Sequence, residues 1–164
     1  MTTKESDRGF MRRALELASS VPEEIVSPNP RVGAVIVEFG VVVAEGFHPY
    51  DGGPHAERVA LESLGRLPKY GAEMFVTMEP CSTAGRTGSC CERIINSSGI
   101  RRLVIGCLDP NPAHAGRALD LLSLHGIDVV WGVEAASCEA LNPQFNQQMR
   151  ALLDNPGFRV ECTG

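Results

Sequence analysis

Three times after Gly53 the chain passes from a helical to an extended pattern, and this alternation restricts its fold more than any other feature. Helical periodicity covers residues 55–64, 90–98 and 117–125, with Gly99 and Gly126 as stops for the last two. Each helix is followed by a short β-rich run, at residues 73–78, 101–106 and 128–132. Strands joined through helices pair in parallel. Ahead of them, residues 31–37 and 41–47 flank Glu38-Phe39-Gly40 and read as an antiparallel hairpin. A first helix spans residues 10–19, its apolar side made by Phe10, Met11, Ala14, Leu15, Leu17 and Ala18, with Asp7 as its cap. Ser27-Pro28-Asn29-Pro30 must be a loop, since two prolines this close fit neither a helix interior nor a central strand. Residues 134–153 supply further helix, interrupted near Pro143. The expected architecture is α/β: a mixed five-stranded sheet with an N-terminal antiparallel hairpin and helices on both faces.

A length of 164 residues suits a single domain, 1–164, with a core at about 8–153 and a loosely held polar end at 155–164. Apolar residues make up 43% and charged residues 21%, a globular balance. A net charge of -5 speaks against a surface built to grip nucleic acid. No run of eighteen apolar residues is present, so no membrane partner is expected. The first ten residues lack an apolar signal core, which points to the cytoplasm. There the six cysteines would stay reduced and serve metals or catalysis rather than disulfides.

Three pieces carry chemistry: His55-Ala56-Glu57, Glu79-Pro80-Cys81 and Cys90. A catalytic zinc ion takes three protein ligands and leaves one position for water, and one imidazole with two thiolates meets that need. Cys81 follows a strand end and Cys90 starts a helix, where unpaired N–H groups favour a thiolate. Glu57, at the same helix start as His55, is then free to act as general acid and base. Cys91 competes with Cys90 for the third ligand position, because successive helical residues point about 100° apart and only one can face the ion. Cys107, Cys138 and Cys162 read as packing or free thiols, and His114 and His125 as surface or capping residues. Pairing H-x-E with a Pro-Cys motif is the pattern of the zinc-dependent nucleobase deaminases.

The chain resembles the cytidine-deaminase-like superfamily, and within it the pyrimidine deaminase branch of riboflavin biosynthesis. The resemblance runs from Phe10 to about Phe145. It is carried by Pro28-Asn29-Pro30-Arg31-Val32-Gly33-Ala34-Val35, Gly46-Phe47-His48, Pro54-His55-Ala56-Glu57, Thr77-Met78-Glu79-Pro80-Cys81-Ser82, Gly85-Arg86-Thr87, Asp109-Pro110-Asn111-Pro112 and Leu141-Asn142. The eight residues between Cys81 and Cys90 also look like that branch, in place of the C-x-x-C spacing of tRNA and nucleoside deaminases, and by this correspondence Cys90 is the ligand.

What the resemblance implies is a three-layer α/β/α cytidine-deaminase-like fold, a Zn2+ cofactor, and hydrolytic removal of an amine from 2,5-diamino-6-ribosylamino-4(3H)-pyrimidinone 5′-phosphate. The zinc would lower the pKa of its water and Glu57 would carry the proton to a ring nitrogen. By position, Asn29, His48, Arg86, Asp109 and Asn111 correspond to the family's contacts to base, ribose and phosphate. The superfamily's habit also implies a homodimer or homotetramer. The reductase domain usual after this one is expected to be absent, so a separate reductase would take the next step. The chain departs from the pattern at Thr83, where a substrate-binding histidine is common, and at Gly88-Ser89, in place of two prolines. Those departures keep a related deaminase of another small aminated heterocycle, of purine, pterin or cytosine type, as the alternative substrate reading. A zinc-stabilised binding protein and a tRNA deaminase are the further alternatives.

Overall fold

The computed structural model describes residues 3–83 and 88–154. Its elements are α1 (Thr3–Ser19), α2 (Glu23–Val26), β1 (Gly33–Glu38), β2 (Val41–Phe47), α3 (Ala56–Leu64), β3 (Ala72–Met78), α4 (Cys90–Asn96), β4 (Ile100–Cys107), α5 (Arg117–Leu124), β5 (Asp128–Trp131), α6 (Ala135–Ala140) and α7 (Pro143–Asp154). The five strands form one sheet in the order β2-β1-β3-β4-β5. β1 pairs antiparallel with both β2 and β3, whereas β3–β4 and β4–β5 are parallel. This is the mixed sheet expected from the alternation of patterns.

Every residue of β1 is buried, because the strand lies inside the sheet and is covered on both faces. The two-residue period of the strands sorts their side chains into two cores. Ala34, Ile36, Met74, Val76, Leu103 and Ile105 pack with Ala60 of α3, Ile94 of α4 and Leu122 of α5. Val35, Val37, Phe75 and Val104 turn the other way, onto Met11 of α1, Cys138 of α6 and Met149 of α7. Three layers result. The hairpin turn uses positive φ at both Phe39 (50°) and Gly40 (77°), the backbone that matches the twist of two antiparallel strands.

Close approach of α3 to β2 sets the position of His55 and requires glycine at position 46. A Cβ on Gly46 would lie 2.5 Å from both the Ala56 carbonyl oxygen and the Ala60 nitrogen. Any side chain there would push the start of α3 away from the sheet.

Four details differ from the sequence reading. The first helix begins at Thr3, so Asp7 is not its cap; it is buried inside α1, where Arg102 of β4 donates to it at 2.9 and 2.7 Å. Arg102 also donates to Glu73 at 2.6 Å, so the partner that fixed Asp7 lies 95 residues away and left no local trace. The short α2 was not expected. Helix α4 leaves its axis through Ser98 at φ 57°, while Gly99 is needed because a Cβ there would strike the Pro68 carbonyl. His114 is 9% exposed, not a surface residue, since its loop folds back over the ends of β3 and β4. His125 does close α5, and Pro143 opens α7 after the expected break. Cys107 and Cys138 are buried free thiols. Arg86, Cys162 and the polar end at 155–164 lie outside the described residues. Among the described residues no helix is long and apolar enough to cross a membrane.

Candidate metal centre and active site

His55 occupies the N-cap of α3 in an extended backbone conformation, which turns its ring out in front of the helix and leaves Glu57 in the first turn. Cys81 follows Pro80 just beyond the end of β3. Cys90 is the first residue of α4, and the helix start is fixed by a capping box. Ser89 Oγ accepts from the Glu92 N–H at 3.1 Å and the Ser89 N–H donates back to Glu92 Oε2 at 3.2 Å. The Gly88-Ser89 departure from the family pattern therefore has a local job: Ser89 caps the helix that presents Cys90.

These three side chains converge. His55 Nδ1 lies 3.1 Å from Cys90 Sγ and 3.6 Å from Cys81 Sγ, and all three donor atoms fall within 4.8 Å of one another. The Cys90 N–H points at Cys81 Sγ from 3.3 Å. Cys91 turns away and donates its thiol to the Pro80 carbonyl at 3.7 Å, so the direction of α4 brings Cys90, and not Cys91, to His55 and Cys81. The donor set suits zinc: one imidazole and two thiols, partly shielded from water, with Glu57 beside them.

Glu57 is buried, and loss of hydration pushes its carboxyl above the usual range. The Cys90 thiol is also pushed up, first by its hydrogen bond with Cys81 and then by burial. His55 is raised by its bond with Cys81. A divalent cation at the centre would favour the ionised forms of both groups.

One cavity runs over this cluster. His55, Glu57 and Cys81 line its chemical end, and Asn29, His48, Asp109 and Asn111 line its walls. Four of the five residues expected to meet substrate are thus brought together, and the fifth, Arg86, lies outside the described residues. His48 Nδ1 donates to the Pro54 carbonyl at 2.9 Å, which leaves Nε2 as the acceptor nitrogen, buried and without a partner among the described residues. Burial lowers the pKa of His48, so it stays neutral. Its ring stands edge-on to His55, with centroids 5.6 Å apart. Asn29 Nδ2 donates to Asp51 Oδ1 at 2.8 Å. Burial raises Asp109, while Asn111 uses its own Oδ1 to accept from the Ala113 N–H at 3.0 Å.

Sequence reasoning missed two contributors. Glu79 carries no expected role, yet its carboxylate accepts from the N–H groups of Asp109 (3.2 Å), Gly116 (2.9 Å) and Ala118 (3.1 Å). It ties the end of β3, next to Cys81, to both ends of the loop that carries Asp109 and Asn111. The donors are 30 to 39 residues distant, so only the position of Glu79 beside Pro80-Cys81 could have hinted at it. His114 is the other, a cavity residue rather than a cap.

Fold, donor trio and buried carboxyl together make a site suited to bind a metal ion beside an acid–base group. The chain belongs to the cytidine and deoxycytidylate deaminase family, whose zinc-binding region matches residues 4–107. It is 41% identical over 147 residues to the diaminohydroxyphosphoribosylamino-pyrimidine deaminase of Buchnera aphidicola, covering 90% of this chain and 98% of that one. It is 46% identical over 144 residues to the riboflavin biosynthesis protein RibD of Escherichia coli, covering 88% of this chain and 38% of RibD. Among solved structures, the deaminase/reductase of Thermotoga maritima superposes with a TM-score of 0.85 at 42% identity, over 92% of this chain and 43% of that one. The chain therefore spans well under half the length of the RibD-type relatives it matches.

Proposed function

We propose that the chain catalyses hydrolytic deamination of 2,5-diamino-6-ribosylamino-4(3H)-pyrimidinone 5′-phosphate, a step of riboflavin biosynthesis. The observation that carries this is the gathering of His55, Cys81 and Cys90 within 4.8 Å beside a buried Glu57, in one cavity. Similarity to the Buchnera aphidicola deaminase over 98% of that protein's length supports the choice of substrate.

His55, Cys81 and Cys90 would hold zinc, which when bound would supply Lewis acidity and make water a better nucleophile. Glu57 takes the proton released by the attacking water and gives it to the ring nitrogen beside the amine-bearing carbon. A positioned carboxyl that accepts and then donates a proton is the general acid and base such a step needs. Water adds at that carbon, the C–N bond breaks, the amine departs as ammonia and a carbonyl remains. His48 Nε2 is placed to accept from a substrate N–H, and Asn29, Asp109 and Asn111 fix the ring and sugar. Arg86, by the resemblance, would meet the phosphate with its planar fork of donors.

The assembly implied by the same resemblance is a homodimer or homotetramer, which sedimentation of the zinc-loaded chain would test. The enzymatic test is ammonia release from the phosphorylated diaminopyrimidine by the zinc-loaded protein. Turnover of cytosine, guanine or a pterin without turnover of that nucleotide would overturn the substrate assignment.

A further inference from the structure

Two ring nitrogens in the cavity, His48 Nε2 and His114 Nδ1, are buried without a hydrogen-bond partner among the described residues. Leaving such an atom unpaired is costly, so a buried open nitrogen on a residue that lines a cavity marks a place where something binds. His48 already has a proposed role; His114 has none.

The backbone that carries His114 is fixed by hydrogen bonds. Its N–H donates to the Asn111 carbonyl at 2.9 Å. Glu79 pins the loop on either side, at Asp109 and at Gly116. Asp109 uses Oδ1 to accept from the Asn111 N–H at 2.9 Å, and its other oxygen, Oδ2, lies 3.9 Å from His114 Nδ1. That separation is too long for a direct hydrogen bond, yet one oxygen atom placed about 2.8 Å from each would bridge them. The bridging atom must donate to a carboxylate and can accept from a ring N–H, and a hydroxyl does both with one oxygen. An aromatic amine only donates, so it fits the pair less well.

We infer that His114 is a specificity-determining residue, which together with Asp109 Oδ2 grips one hydroxyl group of the sugar carried by the substrate. The inference rests on the proposed function, which supplies a ribosylated substrate. Because the loop is fixed before binding, the pair discriminates at little entropic cost. Sugar-lacking heterocycles of the same base type would then be poor substrates, although the chemical end of the cavity could accept their rings.

The test compares the phosphorylated ribosylaminopyrimidine with its 2′-deoxy and 3′-deoxy counterparts, using the zinc-loaded full chain and His114→Ala. In the wild type one deoxy compound should lose about 5- to 50-fold in kcat/KM, mainly through KM. His114→Ala should lose a similar factor on the parent substrate and almost nothing more on that deoxy compound. His114→Asn, which restores an N–H donor at the position of Nδ1, should recover part of the loss and carries the same comparison if the alanine variant does not fold. Equal losses on all three compounds, or none, would overturn the inference while leaving the proposed function intact. A wild type that fails to turn over the parent nucleotide would overturn both.

Discussion

His55 Nδ1 lies 3.1 Å from Cys90 Sγ although 35 residues separate them, and Cys91, the next residue, faces the Pro80 carbonyl instead. Adjacent thiols at one helix start thus have opposite fates. Cys90→Ser should strip the purified protein of zinc and abolish deamination, while Cys91→Ser should keep metal near one equivalent per chain. Metal analysis of the two variants separates them, and zinc retained in the first but lost in the second would reverse the ligand assignment.

Glu57 is buried beside the ligands and its carboxyl is raised by desolvation. Glu57→Gln keeps the shape but cannot carry a proton, so turnover should fall by about 10²- to 10⁴-fold. Zinc content and substrate affinity should change little. A variant with near wild-type turnover would show that another group moves the proton.

The parts of this design that were legible in the sequence are those with short-range causes. Residues 31–47 declare a hairpin because Phe39-Gly40 can take positive φ between two apolar runs. The candidate donor residues were legible because a helix start or strand end is a local event, and each of His55, Cys81 and Cys90 sits at one. Asp7 and His114 were not, because their surroundings are assembled from distant segments. Arg102 reaches Asp7 across 95 residues, and Glu79 folds the His114 loop inward from 37 residues away at Gly116. A carboxylate or imidazole in a sequence shows its own chemistry and nothing of its partner's position.

Glu38, at the end of β1, accepts from Arg66 at 2.8 Å through each carboxylate oxygen and from the Lys69 N–H at 2.9 Å. The Arg66 guanidinium and that N–H hold its pKa down at about 2, against an ordinary value of 4.5. A carboxylate more acidic when folded than when unfolded adds stability above its unfolded pKa and loses it as pH falls through the folded one. Thermal unfolding of wild type and Glu38→Gln should therefore differ most above about pH 5 and converge towards about pH 2. A constant gap in Tm across that range would show that the pair contributes no pH-dependent stability.

Glu79 links stability to the site. Its three backbone N–H donors come from the start and end of the Asp109 loop and from the first turn of α5. A carboxylate there also faces the positive end of that helix. Glu79→Gln replaces one acceptor oxygen with an N–H₂ group that opposes a donor, and should cost about 2–3 kcal/mol of stability. The loop would then lose its fixed form, so KM should rise more than kcat falls, because Asp109 and Asn111 line the cavity. Denaturant titration and steady-state kinetics on one preparation give both quantities. A drop in stability with unchanged KM would mean that the loop holds its shape without Glu79, and that the carboxylate serves the fold alone.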